Sequence, residues 1–422
     1  MTGKAKDSDA RRSGVIRGPQ DSVSVECPKF AAAPLLGGLN PREFLARYWQ
    51  KEPFLVRSAL PDSIPLLTAD ELAGLACEDG IESRLVLEGG KNTRWEVRHG
   101  PFDAELFTQL PDTHWTLLVQ DVDKLLPNCA CFLEQFRFVP DWRIDDLMVS
   151  YAVRGGSVGP HVDDYDVFLF QAIGSRRWLV GGDAGAEENQ RVDAELRIMQ
   201  AFEPEHDWTL DAGDLLYLPP GVPHHGIAES DDCMTYSIGF RAPSWQDVMT
   251  MVFDQLVDQV GPRERYADPD LKPQENPAQL SGRTVTAFRR GIETLMRFDE
   301  QAFVHWLGSW LTEPKELSNP TGPAHTIDAE ALAERLRSGM VLSWDSAARL
   351  LFFDESGYAL TMFVSGEAIE PPPCCEGLVR ELARNRRVGA TALDDAADET
   401  VAAIFLADLF NRGYLILIVN ED

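Results

Sequence analysis

Gly155-Gly-Ser-Val-Gly-Pro-His161-Val-Asp163, answered further on by Gly213-Asp-Leu-Leu-Tyr-Leu-Pro219-Pro-Gly221-Val-Pro-His224-His225, is the part of the chain that the rest must hold in place. The two halves supply two imidazoles and a carboxylate, a donor set that binds non-haem Fe(II) on one face of an octahedron and leaves positions open. In a strand, residues i and i+2 point to the same face, so His161 and Asp163 are expected to reach one metal while Val162 points away. The second half reads as a strand, a Pro-Pro-Gly turn and a histidine returned on a neighbouring strand. His224 and His225 are adjacent and so face opposite ways; one of them ligates, and the spacing leaves open which.

A lone His-x-Asp carries little information. The paired spacing, G-x5-H-x-D followed by G-x5-P-x-G-x2-H, resembles the two motifs of the cupin superfamily and makes a metal site the expected reading. The strands around it can be oriented by alternation. In Asp146-Leu-Met-Val-Ser-Tyr-Ala-Val153, residues Leu147, Val149, Tyr151 and Val153 form an apolar face suited to packing outward. Asp146, Met148, Ser150 and Ala152 form the other face, and polar groups pointing into a barrel mean a lined pocket. After the metal pair, Tyr165 to Gln171, a Gly174-Ser175 turn and Arg176 to Val180 carry the signature of a hairpin. Arg176 and Arg177 point oppositely, so one enters the barrel, where a buried arginine needs an anion such as an organic acid co-substrate. Tyr236-Ser-Ile-Gly-Phe240 is the strand expected to close the barrel.

Upstream, residues 1–33 are polar and aperiodic and read as a disordered tail. Helices are expected from Asn40, an N-cap before Pro41, and from Thr68, with Glu71 three residues on completing a capping box. Downstream, helical periodicity from Trp245 and over 283–297 and 300–311 places large apolar residues on three helices, for which self-association is the expected use. Beyond a Pro314–Pro323 linker, a helix, a hairpin turning at Glu355-Ser-Gly357, two more helices and a last strand resemble a winged helix. From residue 324 on, 8 Lys and Arg stand against 17 Asp and Glu, so phosphate binding is not expected of it.

The totals agree. With 422 residues, two or three domains are expected, and 44% hydrophobic residues can fill their cores. Seven cysteines without a C-x-x-C pair argue for a reducing compartment and against structural zinc or a disulfide framework. No apolar leader or membrane-length run is present, so a cytoplasmic location is expected. The 39 basic and 68 acidic residues give a net charge of -29, which repels nucleic acid and favours encounter with a basic protein.

Gly159-Pro-His161-Val-Asp163-Asp-Tyr165-Asp-Val-Phe168, Gly174-Ser-Arg176-Arg-Trp178, the stretch from Asp214 to His224, and Tyr236-Ser-Ile-Gly-Phe-Arg-Ala-Pro243 together resemble the Jumonji C-type ribosomal oxygenases. Their bacterial ribosomal protein arginine hydroxylase branch is the nearest in form. The resemblance runs in architecture from about Leu35 to the C-terminus, with its specific motifs within 145–243. It implies an α+β chain: a double-stranded β-helix oxygenase domain over 34–244, a helical dimerisation segment over 245–313, and a winged-helix-like domain over 324–422. It further implies Fe(II), 2-oxoglutarate as co-substrate and O2, a homodimer, and a basic substrate, the large-subunit ribosomal protein numbered sixteen, hydroxylated on the β-carbon of one arginine. By position, His161, Asp163 and His224 take the place of the iron ligands, which selects His224 over His225. Arg176 takes the place of the residue that pairs with the distal carboxylate of 2-oxoglutarate, and Ser150 lies on the strand that offers it hydroxyls. The chain departs from the pattern at Ala152, where members can carry a second hydroxyl. For an arginine substrate, Asp146 would pair with the guanidinium while Met148 and the Tyr165 ring sandwich it. Alternatives are a related ribosomal-protein histidyl hydroxylase or a lysine demethylase, disfavoured by the Tyr165-Asp-Val-Phe and Pro-Pro-Gly-Val-Pro-His forms. A non-catalytic cupin metabolite sensor is disfavoured by the intact ligand set and the acidic C-terminal region.

Overall fold

A computed structural model describes residues 35–60, 65–89, 95–182, 196, 198–199, 203–315 and 319–419; the expected N-terminal tail lies outside the described residues. The chain forms two compact units. One comprises the chain up to Ala242 with Pro314–Ala348 and Pro372–Asp422, and the other comprises Pro243–Glu313 with Arg349–Pro371. The segment from 324 on, expected as one block, is thus shared between them.

The first unit opens with α1 (Pro41–Arg47) and β1 (Phe54–Val56), then α2 (Ala69–Ala76), β2 (Ser83–Leu87) and β3 (Glu96–His99). Both α1 and α2 begin with capping boxes, Asn40 with Glu43 and Thr68 with Glu71, as the sequence pattern requires. After α3 (Ala104–Phe107) come β4 (Trp115–Val119), α4 (Val122–Leu125), α5 (Pro127–Leu133) and β5 (Ile144–Ala152). The strands β6 (Asp166–Ile173), β7 (Ser175–Val180), β8 (His206–Asp211), β9 (Leu215–Leu218), β10 (His224–Ala228) and β11 (Cys233–Phe240) complete the barrel.

An eight-stranded sheet, ordered β1-β9-β6-β11-β5-β4-β2-β3, faces a three-stranded sheet, β10-β7-β8. Two sheets built from alternating strands make the double-stranded β-helix. Alternation divides each strand's side chains between two cores. Phe168 and Phe170 of β6, with Leu147 and Val149 of β5, pack against Phe44, Leu72 and Phe132 of the helices. Val167 and Leu169 instead meet Trp178 and Val180 of β7 between the sheets.

The Gly174 turn does not make a hairpin, because β6 pairs with β9 and β11 whereas β7 pairs with β8 and β10. Gly174 has φ +67°, and Ser175 N–H donates to Ser230 Oγ, so the turn hands the chain from one sheet to the other. Nor do His161 and Asp163 share a regular strand. His161 forms only an isolated antiparallel bridge with His224, and the chain is irregular from Val162 to β6. The ladder stops because the Asp163 carbonyl accepts from Gly221 of the Pro219-Pro-Gly turn, whose prolines have no N–H to offer. Cys131 is also disulfide-bonded, against the expectation of free thiols, whereas Cys77, Cys129, Cys233, Cys374 and Cys375 are free.

The second unit contains α6 (Trp245–Gln259), α7 (Gly282–Leu295) and α8 (Glu300–Thr312), capped by Ser244, Ser281 and Asp299. The C-terminal part of the chain supplies α9 (Ala329–Arg337) and β12 (Met340–Trp344) to the first unit. It supplies the sheet of β13 (Leu350–Phe353), β14 (Thr361–Val364) and β15 (Glu367–Ile369) to the second. The chain then returns to the first unit with α10 (Glu376–Asn385), β16 (Arg387–Val388), α11 (Ala390–Asp394), α12 (Glu399–Asn411) and β17 (Leu415–Val419). Within the first unit, Arg137 donates to the carbonyls of Ala383 and Arg384 and pairs with Asp141, fastening α10 to the barrel.

Candidate metal centre

The bridge between His161 and His224 sets the geometry. Its two backbone hydrogen bonds, 3.0 and 2.9 Å, hold the rings 4.2 Å apart between centroids. Each ring turns Nδ1 onto a backbone carbonyl, that of Gly159 for His161 and that of Val222 for His224, both at 3.0 Å. A carbonyl can only accept, so each Nδ1 carries the proton and each Nε2 keeps a free lone pair. Asp163 stands between them, Oδ1 3.7 Å from His161 Nε2 and Oδ2 3.5 Å from His224 Nε2. The three ligand atoms lie within 4.8 Å of one another and could hold one metal ion.

Burial, then the neighbouring His161, pushes the His224 imidazole down to about 4, so it stays neutral, the form that ligates metals. His225 points away and pairs through Nε2 with Ser157 Oγ at 3.0 Å, while the same hydroxyl accepts from Gly159 N–H. Gly159 itself has φ +81°, a conformation that brings the lead-in loop back toward His161.

Arg176 is the buried member of the arginine pair, 4% exposed, whereas Arg177 meets Asp207 at the surface. The Arg176 guanidinium lies 5.9 Å from the Trp178 ring centroid, yet its Nε and Nη2 have no hydrogen-bond partner among the described residues. A buried, unpaired guanidinium is costly unless an anion completes it. The residues therefore fit a carboxylate-bearing ligand beside the histidines. Ser150, also buried, donates to Thr235 O at a long 3.4 Å and is free to turn to a better acceptor.

Asp146 is buried on the inward face of β5, and the half-buried Met148 follows two residues on. Burial pushes the Asp146 carboxyl up to about 6; Lys315 pulls it back, and Asp145, Asp123 and Asp121 add to the rise. Lys315 Nζ stands 3.6 Å from Asp146, 3.1 Å from Asp121 and 3.2 Å from Asp145, a cation that alternation in the strand could not foretell. Tyr165 keeps 43% of its surface exposed. Enclosure of its hydroxyl, then the carboxylates of Asp163 and Asp146, pushes the phenol up. The sequence reading missed Thr235 and Ser237, inward on β11 opposite Ser150 and Met148. The alternation test applied to β5 would have found both in Thr235-Tyr-Ser237-Ile.

Residues 131–248 match the JmjC domain family and 295–416 the ROXA-like winged helix. The chain is 35% identical over 378 residues to the ribosomal protein uL16 3-hydroxylase of Escherichia coli, covering 89% of this chain and 97% of the relative. A probable ribosomal oxygenase of Haemophilus influenzae is 36% identical over 55% of each. Among solved structures, that of YcfD, a ribosomal oxygenase from Escherichia coli in complex with cobalt and 2-oxoglutarate, matches at TM-score 0.76 and 34% identity, covering 90% of this chain and 98% of that one. By its barrel, its ligand cluster and these matches, the chain belongs to the Jumonji C-type ribosomal oxygenase family.

Proposed function

We propose that the chain is an Fe(II)- and 2-oxoglutarate-dependent hydroxylase of an arginine β-carbon in the large-subunit ribosomal protein uL16. The observation that carries this is the triangle of His161, Asp163 and His224, whose two imidazoles turn Nδ1 onto backbone carbonyls so that both Nε2 atoms face one carboxylate. Iron with 2-oxoglutarate and O2 supplies an oxidant for an unactivated C–H bond, chemistry that no side chain provides. The protein's share is binding, orientation and exclusion of water. His161, Asp163 and His224 would hold the metal. Arg176 and Ser150 would take the distal carboxylate of 2-oxoglutarate, a role supported by the two unpartnered nitrogens of Arg176. Asp146 would pair with the substrate guanidinium, and Met148 and Tyr165 would flank its plane, from one face of the site. The net charge of -29 would draw in a basic ribosomal protein in the cytoplasm, and α7 would serve a homodimer.

The test is incubation of the protein with Fe(II), 2-oxoglutarate, O2 and arginine-containing uL16 peptide, read by mass spectrometry. A gain of one oxygen atom on the arginine is expected, lost with His224→Ala and kept with His225→Ala. Co-substrate turnover with no peptide oxidised would overturn the substrate, and absence of both would overturn the activity.

A further inference from the structure

One inward hydroxyl has no partner among the described residues. Thr116 of β4 is 0% exposed, and its Oγ1 makes no hydrogen bond. In a buried strand this is a cost, since a hydroxyl taken from water without a partner loses its hydrogen bonds outright. Threonine at a wholly buried, unpaired position is explained if something else completes it.

Its neighbours say what. Thr116 is the register partner of Ala152, so the two side chains share a face. Leu117 and Val119 join the helix-side core, which leaves Thr116 and Leu118 facing inward, as Ala152 and Ser150 do. Ala152 packs with Ala228, and Ala228 is the register partner of Arg176 on β7. The sheets are drawn together at this point by Gly156, whose carbonyl accepts from Ala228 N–H. Gly156 crosses so close that a Cβ there would lie 2.2 Å from Trp115 O and 3.0 Å from Ala152 Cβ. The Thr116 hydroxyl and the Arg176 guanidinium, both with unpartnered atoms among the described residues, therefore flank the same pair of alanines.

We propose that Thr116 is a co-substrate-binding residue: its hydroxyl donates to the distal carboxylate of 2-oxoglutarate beside Arg176, from the strand next to Ala152 rather than from position 152. The inference rests on 2-oxoglutarate as the co-substrate. Arg176 supplies the charge and a second edge of donors; Thr116 fixes which way the carboxylate lies.

The experiment uses the full chain loaded with Mn(II), which permits binding without turnover, titrated calorimetrically with 2-oxoglutarate. Wild type should bind, and Arg176→Gln should bind far more weakly. Thr116→Val keeps shape and removes the hydroxyl; it should weaken 2-oxoglutarate about tenfold, the loss of one hydrogen bond to a charged group. Mn(II) affinity should stay the same, and Tm without co-substrate should stay the same or rise. Thr116→Ser should retain the wild-type constant. A shorter keto acid without the distal carboxylate, 2-oxobutyrate, should bind wild type and Thr116→Val equally. An unchanged 2-oxoglutarate constant in Thr116→Val, with Arg176→Gln impaired, overturns the role of Thr116 and leaves the co-substrate standing. Equal weakening of 2-oxoglutarate and 2-oxobutyrate also overturns it, as a general distortion. A wild type that does not bind 2-oxoglutarate overturns both.

Discussion

Asp146 concentrates the problem of recognising a cation in a buried site. Its carboxyl sits at about 6 because burial and three neighbouring aspartates oppose ionisation more than Lys315 favours it. On the proposed pairing of Asp146 with the substrate guanidinium, the carboxylate form does the holding, so the site loses its anion as pH falls through that value, and a bound guanidinium draws the proton off again. The consequence is a limb in kcat/KM for the peptide, falling toward tenfold per pH unit below about 6, with kcat at saturating peptide less affected. Steady-state hydroxylation between pH 5 and 8 measures it. Asp146→Asn should lower the plateau and remove the limb; the same limb in that variant would assign it to another group. Lys315 matters to the same balance, since it keeps part of the carboxyl ionised before substrate arrives.

At the scale of the element, β5 and α2 show where local rules suffice. Alternation along β5 places Leu147 and Val149 in the helix-side core and leaves Asp146 and Ser150 inward, with no tertiary information needed. On α2, Thr68 Oγ1 accepts from Glu71 N–H and Glu71 returns the bond to Thr68 N–H, fixing the start of a helix of 8 residues. A helix this short does not hold itself together in water, and it depends on the cap and on Leu72, wholly buried beneath it. Thr68→Ala should cost about 1 kcal/mol in urea unfolding, and Thr68→Ser much less. No loss in the alanine variant would mean that packing alone holds α2. The turn at Gly174 shows where local rules stop. Its residues specify a reversal, but whether the next strand pairs with β6 or crosses to the other sheet depends on which edges β9, β10 and β11 have already filled.

Over the whole molecule, the most unusual surface is α7, none of whose residues is buried in the monomer. Val285, Phe288, Ile292 and Leu295 are exposed at helical spacing, and Tyr266 stacks on Phe288 at 4.8 Å. We propose that this stripe meets the matching stripe of a second copy of the chain. Sedimentation velocity should give twice the chain mass for wild type and the chain mass for Phe288→Asp with Ile292→Asp, with peptide hydroxylation as a check that the barrel persists. A monomeric wild type at micromolar concentration would end the proposal.

The sequence by itself determined the chemistry's vocabulary: a His-x-Asp pair and a distant histidine, a turn rich in glycine and proline to return it, and the face of β5 that looks inward. These are local properties, carried by spacing and by the two-residue period of a strand. Which histidine of the pair His224-His225 turns inward, which nitrogen of each ring keeps its lone pair, and that Asp163 meets both rings from a loop were decided by the tertiary structure. So were the approach of Lys315 to Asp146 and the unpartnered hydroxyl of Thr116 beside Ala152. The reason is the same in each case. Contacts between residues far apart in the chain follow from how sheets register and close, and neither the period of one strand nor the chemistry of one turn contains that register.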